Sequence, residues 1–395
     1  MAPKIEKKQA VKFISPQIWM DPYNTGYGGG IGYGDMDFLG TGTYFWLSTA
    51  ITTRNLQYIS AEFSKLRFIP FIEDFKIKFS YEQFPCESFW GIGNESEKLY
   101  EVLYWWVKQN AEITFSKHFA HHYGVDVRLY YNNIDIKSGQ KPIEGKSAPS
   151  FEEHYGWDRE LAHGERWGGP LYGREGGMSN GIILTFYRDF RDDWQVPHRG
   201  NYQAISIQRV GPEFASDYNY TKLSLDLRAY FEPGWLQDLP MDHWFGPERT
   251  FYTKFFGPAK HRNFSFRVFA THTFSEEIEW YGQKVLDVPF YELTSLGGGQ
   301  TNRGYNGDRF RDNDCFGASF EYRFQYWKFW DFAFFVDTGM VMNDITDSDS
   351  WEGKWHTSYG GSLRGHLPPA IIITFEYAFS EDYPAGWLVQ ANWVF

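Results

Sequence analysis

The chain has 395 residues, 21% of them Phe, Trp or Tyr, and it carries 39 Gly. Its 38 basic against 50 acidic residues give a net charge of −12, and the lack of a basic block excludes a nucleic-acid binder. No stretch reaches the roughly 18 consecutive apolar residues of a membrane helix; the longest uncharged run, 38–53, is broken by Gly40 and Gly42. A mean hydropathy of −0.51 leaves a membrane barrel open, because its strands alternate between lipid and a polar lumen.

In chain order, residues 1–11 form a short N-terminal segment without the apolar core of a secretory signal, so the sequence reads as a mature chain with its signal removed. Strands are predicted over 12–19, 27–34, 43–52, 56–66, 75–81 and 112–119, with 95–107 read as a short helix or a strand edge. In 125–131, Val125, Val127, Leu129 and Tyr131 oppose Asp126, Arg128 and Tyr130. Residues 132–180, rich in Gly and charge, read as a long extracellular loop or lid. Strands follow over 181–190, 201–210 and 222–231, the last with five apolar residues opposite Lys222, Ser224, Asp226, Arg228 and Tyr230. An ambiguous insert covers 231–247, and a further strand runs over 264–274. A long loop, 277–314, leads to strands over 316–326, 329–341, 356–364, 371–379 and 387–395. In 316–326 the charged residues Glu321 and Arg323 lie on one face only.

These segments make about sixteen strands, each near the roughly 9 to 11 residues that a tilted strand needs to cross a bilayer. A soluble sandwich also alternates, but its buried face favours Val, Ile and Leu, whereas the apolar rows here are Phe, Tyr and Trp, as in the aromatic girdles of outer-membrane barrels. The expected fold is all-β: a single transmembrane antiparallel barrel over 12–395, with both termini periplasmic. Cys86 and Cys315 are too few for a disulfide framework.

Between Leu296 and Gly339 the chain reads Leu-Gly-Gly-Gly-Gln-Thr-Asn-Arg-Gly-Tyr, then the Glu321 strand, then Phe335-Val336-Asp337-Thr338-Gly339. This resembles the BamA/TamA-type outer-membrane assembly barrels, the bacterial surface antigen family, in which an Arg-Gly-Phe/Tyr loop tip folds into the lumen and Phe-x-Asp-x-Gly follows two strands later. Asp189-Phe190-Arg191-Asp192-Asp193 with Pro197 and Gly200 is similar to the family's strand-to-periplasmic-turn element, and 38–42 to its early turn. Asn302 stands where the family usually has an aliphatic residue, and Gln390 where the terminal strand commonly has Gly. Members that assemble other proteins carry POTRA repeats ahead of the barrel; residues 1–11 are too short for one, so the resemblance implies an excised barrel or a member without them.

The resemblance implies a lumen lock of Arg303, Gly304, Tyr305, Glu321, Asp337 and Gly339. A lumenal guanidinium needs carboxylates, and strand parity turns Glu321 inward. It also implies a seam between first and last strands, with Gly28, Gly30 and Gly32 at one edge and Trp393 and Phe395 at the other. Those glycines serve either a mobile edge or a crowded barrel wall. His118, His121 and His122 read as a turn rather than a metal site, and no nucleophile elbow, phosphate loop or Cys/His dyad points to an enzyme. No metal or cofactor is expected. The implied function is insertion of outer-membrane proteins, or translocation of polypeptide or lipid, in the bacterial outer membrane. Expected partners are outer-membrane lipid including lipopolysaccharide, polypeptide cargo, and periplasmic or lipoprotein factors. The alternatives are a passive pore or a membrane anchor for a periplasmic partner or enzyme domain.

Overall fold

Alternating apolar and polar residues, rich in aromatic and β-branched types, favour strands with one face in lipid and one in water. The chain builds almost wholly from such strands. The computed structural model describes residues 12–21, 26–69, 72–98, 101–120, 122–138, 171–194, 196–237, 262–327, 330–367, 371–382 and 386–390. The wall begins with β1 (Lys12–Asp21), β2 (Gly26–Phe38), β3 (Thr43–Thr52), β4 (Gln57–Ile69), β5 (Ile72–Phe89), β6 (Val102–Phe119) and β7 (Tyr123–Ser138). After a short strand, β8 (Gly176–Met178), paired to the end of β7, it continues through β9 (Gly181–Asp189), β10 (Gly200–Val210), β11 (Tyr220–Phe231) and β12 (Arg262–Ser275). Two small hairpins then interrupt it: β13 (Glu277–Trp280) with β14 (Gln283–Leu286), and β15 (Thr294–Leu296) with β16 (Phe310–Asp312). β17 (Asp314–Trp327), β18 (Trp330–Met342), β19 (His356–Leu367), β20 (Ile371–Phe379) and β21 (Gly386–Gln390) complete it.

All these strands except the two hairpins belong to one 17-stranded sheet; leaving out β8, sixteen wall strands pair antiparallel, each with the next along the chain. The sheet curls back on itself. Asn94, just past β5, donates from Nδ2 to the carbonyl of Lys354, before β19, at 2.7 Å, and Lys98 donates to the carbonyl of Asp382, past β20, at 3.0 Å. Among the described residues no ladder joins β1 to β21. The outward rows carry exposed Ile59, Ile113, Phe186, Leu223, Phe266 and Phe334, while charge faces inward, as a membrane barrel requires.

Several boundaries differ from the sequence reading. β5 and β6 each run for 18 residues, so of the two alternatives for 95–107 the structure takes strand over 102–107, within β6. A bulge between Phe84 and Glu87, where Pro85 has no N–H to give to the ladder, shifts the phase and ends the simple alternation early. β7 likewise runs past Asn132 to Ser138, because its ladder with β6 continues from Asn110↔Asn132 to Tyr104↔Ser138. The lid therefore starts later than its expected boundary at 132, and 139–170 lie outside the described residues, as does most of 231–247. Cys86 and Cys315 are both buried and form no disulfide.

Candidate functional site

The insertion 276–313 enters the lumen, and its tip is shaped by glycine. Gly297 (φ +127°) and Gly298 (φ +81°) occupy backbone conformations that L side chains rarely adopt, and a Cβ on Gly297 would lie 2.2 Å from the carbonyl oxygen of Asn306. Thr301 Oγ1 clasps Gly297, accepting from its N–H at 2.8 Å, while the Gly298 N–H donates to the Tyr305 carbonyl at 3.0 Å. Gln300 lies outside this tie, where Arg267 of β12 donates to its carbonyl. The reversal projects Asn302, Arg303 and Gly304 at the wall strands β17 to β20.

Arg303 is 4% exposed. It donates to both oxygens of Asp337, from Nε at 2.7 Å and from Nη2 at 2.8 Å, and its backbone N–H reaches the same carboxylate at 3.1 Å. Nη1 donates to Glu321 at 2.8 Å and to Glu376 at 3.5 Å. The guanidinium lies over the Phe335 ring, 3.6 Å from its centroid. Glu321 is shared: Arg364 grips both its oxygens at 2.6 Å, and Arg323 donates at 3.2 Å. Three guanidiniums thus meet three carboxylates in a space closed to water, where an unpaired charge would cost several kcal/mol.

The other residues of this set have defined places. The Gly304 N–H donates to Ser358 Oγ at 3.2 Å, and Asn302 donates to the carbonyl of His356 at 2.8 Å. Asn302 is fully buried and bonded, which suits an amide where the family usually has an aliphatic side chain. Tyr305 packs edge-on to Phe310 and His356. A Cβ on Gly339 would stand 2.7 Å from the Phe316 carbonyl and 2.9 Å from Leu296, so the glycine makes room for β15.

The turn after β9 is tied to the same network. Arg191 forks onto Asp189 through Nε at 2.9 Å and Nη2 at 2.7 Å, and lies over Tyr202. Asp192 Oδ1 accepts the backbone N–H groups of Asp193, His198 and Arg199. Burial opposes ionisation there, but the N–H groups of Arg199 and His198 and the charge of His198 hold this carboxyl below the usual range. The Pro197 carbonyl accepts from Arg323 at 3.4 Å, so the turn touches the lumen cluster directly. Gly200 has φ +102°, and a Cβ there would lie 2.0 Å from the Phe190 carbonyl.

Of the seam residues, Gly28 and Gly30 lie against β3, where a Cβ would come within 2.1 Å and 1.7 Å of backbone oxygens of Ile51 and Thr49. Close approach of the neighbouring strand thus accounts for both. Gly32 faces Ser48 in the same ladder, and Trp393 and Phe395 lie outside the described residues. His118 contacts Glu73 and His122 contacts the Asp189 carbonyl, at the ends of the turn between β6 and β7; His121 lies outside the described residues. His272, Asp314 and Asp344 place their donor atoms within 4.8 Å of one another. Asp314 there accepts from Thr273 N at 2.7 Å and Ile345 N at 2.8 Å, stapling strand ends to a loop.

Sequence reasoning missed Arg364 and Glu376 as members of the lumen cluster. The signal existed: the outward row Phe375, Tyr377 and Phe379 leaves Glu376 on the inner face. It also missed a second closure. Phe290, carried on the insertion, is 1% exposed and packs against Phe89, Tyr104, Ile134, Ile136 and Leu171, at the same end of the lumen where Lys222 donates to the carbonyl of Glu292. Between β4 and β5 the ion pair Lys76–Glu62 keeps its side chains 41% and 24% exposed, in contrast to the buried pairs around Glu321.

Comparison with known proteins agrees with this architecture. No curated protein matches the chain by sequence. Among solved structures, BamA from Haemophilus ducreyi lacking POTRA domains 1–3 is similar with a TM-score of 0.60 and 16% identity, over 98% of this chain and 69% of that one. CdiB from Acinetobacter baumannii is similar with a TM-score of 0.52 and 13% identity, over 97% of this chain and 59% of that one. At such identities the likeness speaks for the fold, a barrel of the BamA kind. The model of the Omp85 superfamily domain matches residues 37–393, nearly the whole of the described wall, and the chain therefore belongs to the Omp85 superfamily.

Proposed function

We propose that this chain is a non-enzymatic barrel of the bacterial outer membrane that inserts polypeptide into that membrane or moves it across. The observation that carries the reading is the locked insertion: Arg303 is held by Asp337, Glu321 and Glu376 on three wall strands, and Phe290 closes the lumen at one end. A diffusion pore needs a continuous aqueous path, which a buried, clamped insertion narrows, whereas a barrel that must stay sealed at rest and rearrange on demand is served by it. Membership of the superfamily and the likeness to BamA and CdiB support the same direction. On this reading the cargo is an unfolded polypeptide. Outer-membrane lipid, lipopolysaccharide included, meets the outward aromatic rows, and periplasmic or lipoprotein factors deliver the cargo. On this reading the insertion and the far end of β7 with β8 face the exterior, and the turn at Asp192 faces the periplasm.

The test is reconstitution of the full chain in liposomes, presented with a urea-unfolded outer-membrane barrel. Faster appearance of protease-protected, heat-modifiable substrate than in empty liposomes, with low resting conductance, is the expected result. Steady conductance without any gain in substrate folding would replace this reading by the passive pore. Neither activity, together with retention of a periplasmic protein on the vesicles, would replace it by the anchor.

A further inference from the structure

The turn between β20 and β21 is held from several sides by segments far away in the chain. Ser380 Oγ donates to the Gly304 carbonyl at 2.6 Å, and Lys354, from the loop before β19, pairs with Glu381 at 2.6 Å. Asp382 takes the Nε of Arg309, while its carbonyl accepts from Lys98 at 3.0 Å. Arg309 is 2% exposed, and its remaining nitrogens reach Ser96, Nη1 to the hydroxyl at 3.0 Å and Nη2 to the carbonyl at 2.8 Å. Its guanidinium lies over Phe310 at 4.4 Å from the centroid. One buried cation on the lumen insertion therefore joins the loop after β5 to the turn before the last described strand.

Among the described residues β21 pairs with β20 from Thr374↔Gln390 to Ala378↔Gly386. The tip of the insertion completes the contact. A Cβ on Gly304 would stand 2.3 Å from Ser358 Cβ and 3.0 Å from Ser380 Cβ, so the glycine lets the tip settle between β19 and the last turn.

We propose that Arg309 is a latch through which the docked insertion holds the terminal hairpin β20–β21, so that docking of one and fixing of the other are a single event. By reciprocity, whatever loosens the hairpin weakens the hold on the insertion by the same factor. The proposal deepens the assembly reading and rests on it for its purpose: a sealed barrel would then release an edge of its wall when the insertion leaves. Arg309 acts apart from Arg303, which grips β17, β18 and β20 from inside the lumen. Its partners Asp382, Ser96 and Phe310 all belong to the loop end.

Hydrogen exchange on the full chain in detergent or nanodiscs tests the latch without any cargo. In Arg309→Ala the amides of 371–390 are expected to exchange about tenfold faster, as loss of a charge-assisted hydrogen bond predicts, while β9 to β11 keep their rates. Asp382→Ala, a change at the turn that leaves the insertion's packing intact, should give the same local pattern. Arg309→Lys should recover part of the protection, since an ammonium can pair with Asp382 but cannot span to Ser96 as the fork does. Unchanged exchange of 371–390 in both alanine variants, or equal acceleration throughout β9 to β11, would overturn the latch. Failure of the wild-type chain to promote substrate folding would instead remove the assembly reading and leave the exchange result standing.

Discussion

Arg303 shows how much can rest on a single side chain. It is the only tip residue that reaches Asp337, Glu321 and Glu376 together, and its planar fork matches Asp337 oxygen for oxygen. Arg303→Ala would leave Asp337 and Glu376 buried without this cation, and removal of one partner from a buried pair costs about 3–5 kcal/mol. A clearly lower melting temperature and raised single-channel conductance are the expected outcomes. Arg303→Lys should restore the charge and only part of the effect, because one ammonium cannot serve three carboxylates with the same geometry. Wild-type melting and conductance in Arg303→Ala would show that the tip does not lock the insertion.

At the scale of the element, the insertion 276–313 combines a dry end and a charged end. Phe290→Ala removes the ring packed edge-on to Phe89 and Tyr104, a truncation that costs about 3–5 kcal/mol in a filled core. It should raise conductance while Arg303 stays docked; a conductance equal to wild type would place the seal elsewhere. The hairpin of β15 and β16 adds a dependence on pH. Burial pushes the Asp312 carboxyl up to about 6, against an ordinary value of 3.8, with the neighbouring Asp314 adding to the effect. Because the folded state holds this proton more tightly than the unfolded chain, stability is expected to fall as pH rises from about 4 to about 6 and to level off above that. Asp312→Asn keeps the oxygen that accepts from Asn313 N and removes the ionisation. Melting temperatures between pH 4 and 7 should therefore show a flatter profile in this variant; an unaltered slope would assign the dependence to other groups.

For the whole molecule, sixteen antiparallel wall strands with an apolar exterior and a charged interior predict detergent-resistant folding. The purified chain should give a β-dominated circular dichroism spectrum and migrate faster on gels when unheated than when boiled. A helical spectrum in detergent, or identical migration before and after boiling, would contradict the barrel. The interior is uneven in a way that bears on any route through it. The ion pair Lys76–Glu62 between β4 and β5 stays partly exposed, whereas the pairs around Glu321 are buried. Arg323 carries the dry cluster down to the Pro197 turn, linking the two motif regions across the molecule.

The amino-acid sequence by itself determined the strands and their phase, since a strand between lipid and water declares itself through a period of two that needs no distant partner. It placed Thr43–Thr52 and Ile371–Phe379 to the residue, and it turned Glu321 inward from its row alone. Where local chemistry broke the alternation, as at Pro85 or at the polar end of β7, the reading stopped short. Tertiary structure decided which inward charges meet. Arg364, Glu376 and Arg309 look like ordinary polar-face or loop residues along the chain. Their partners lie on strands and loops that only the curl of the sheet brings within hydrogen-bonding distance: Glu321 for Arg364, Arg303 for Glu376, and Asp382 for Arg309.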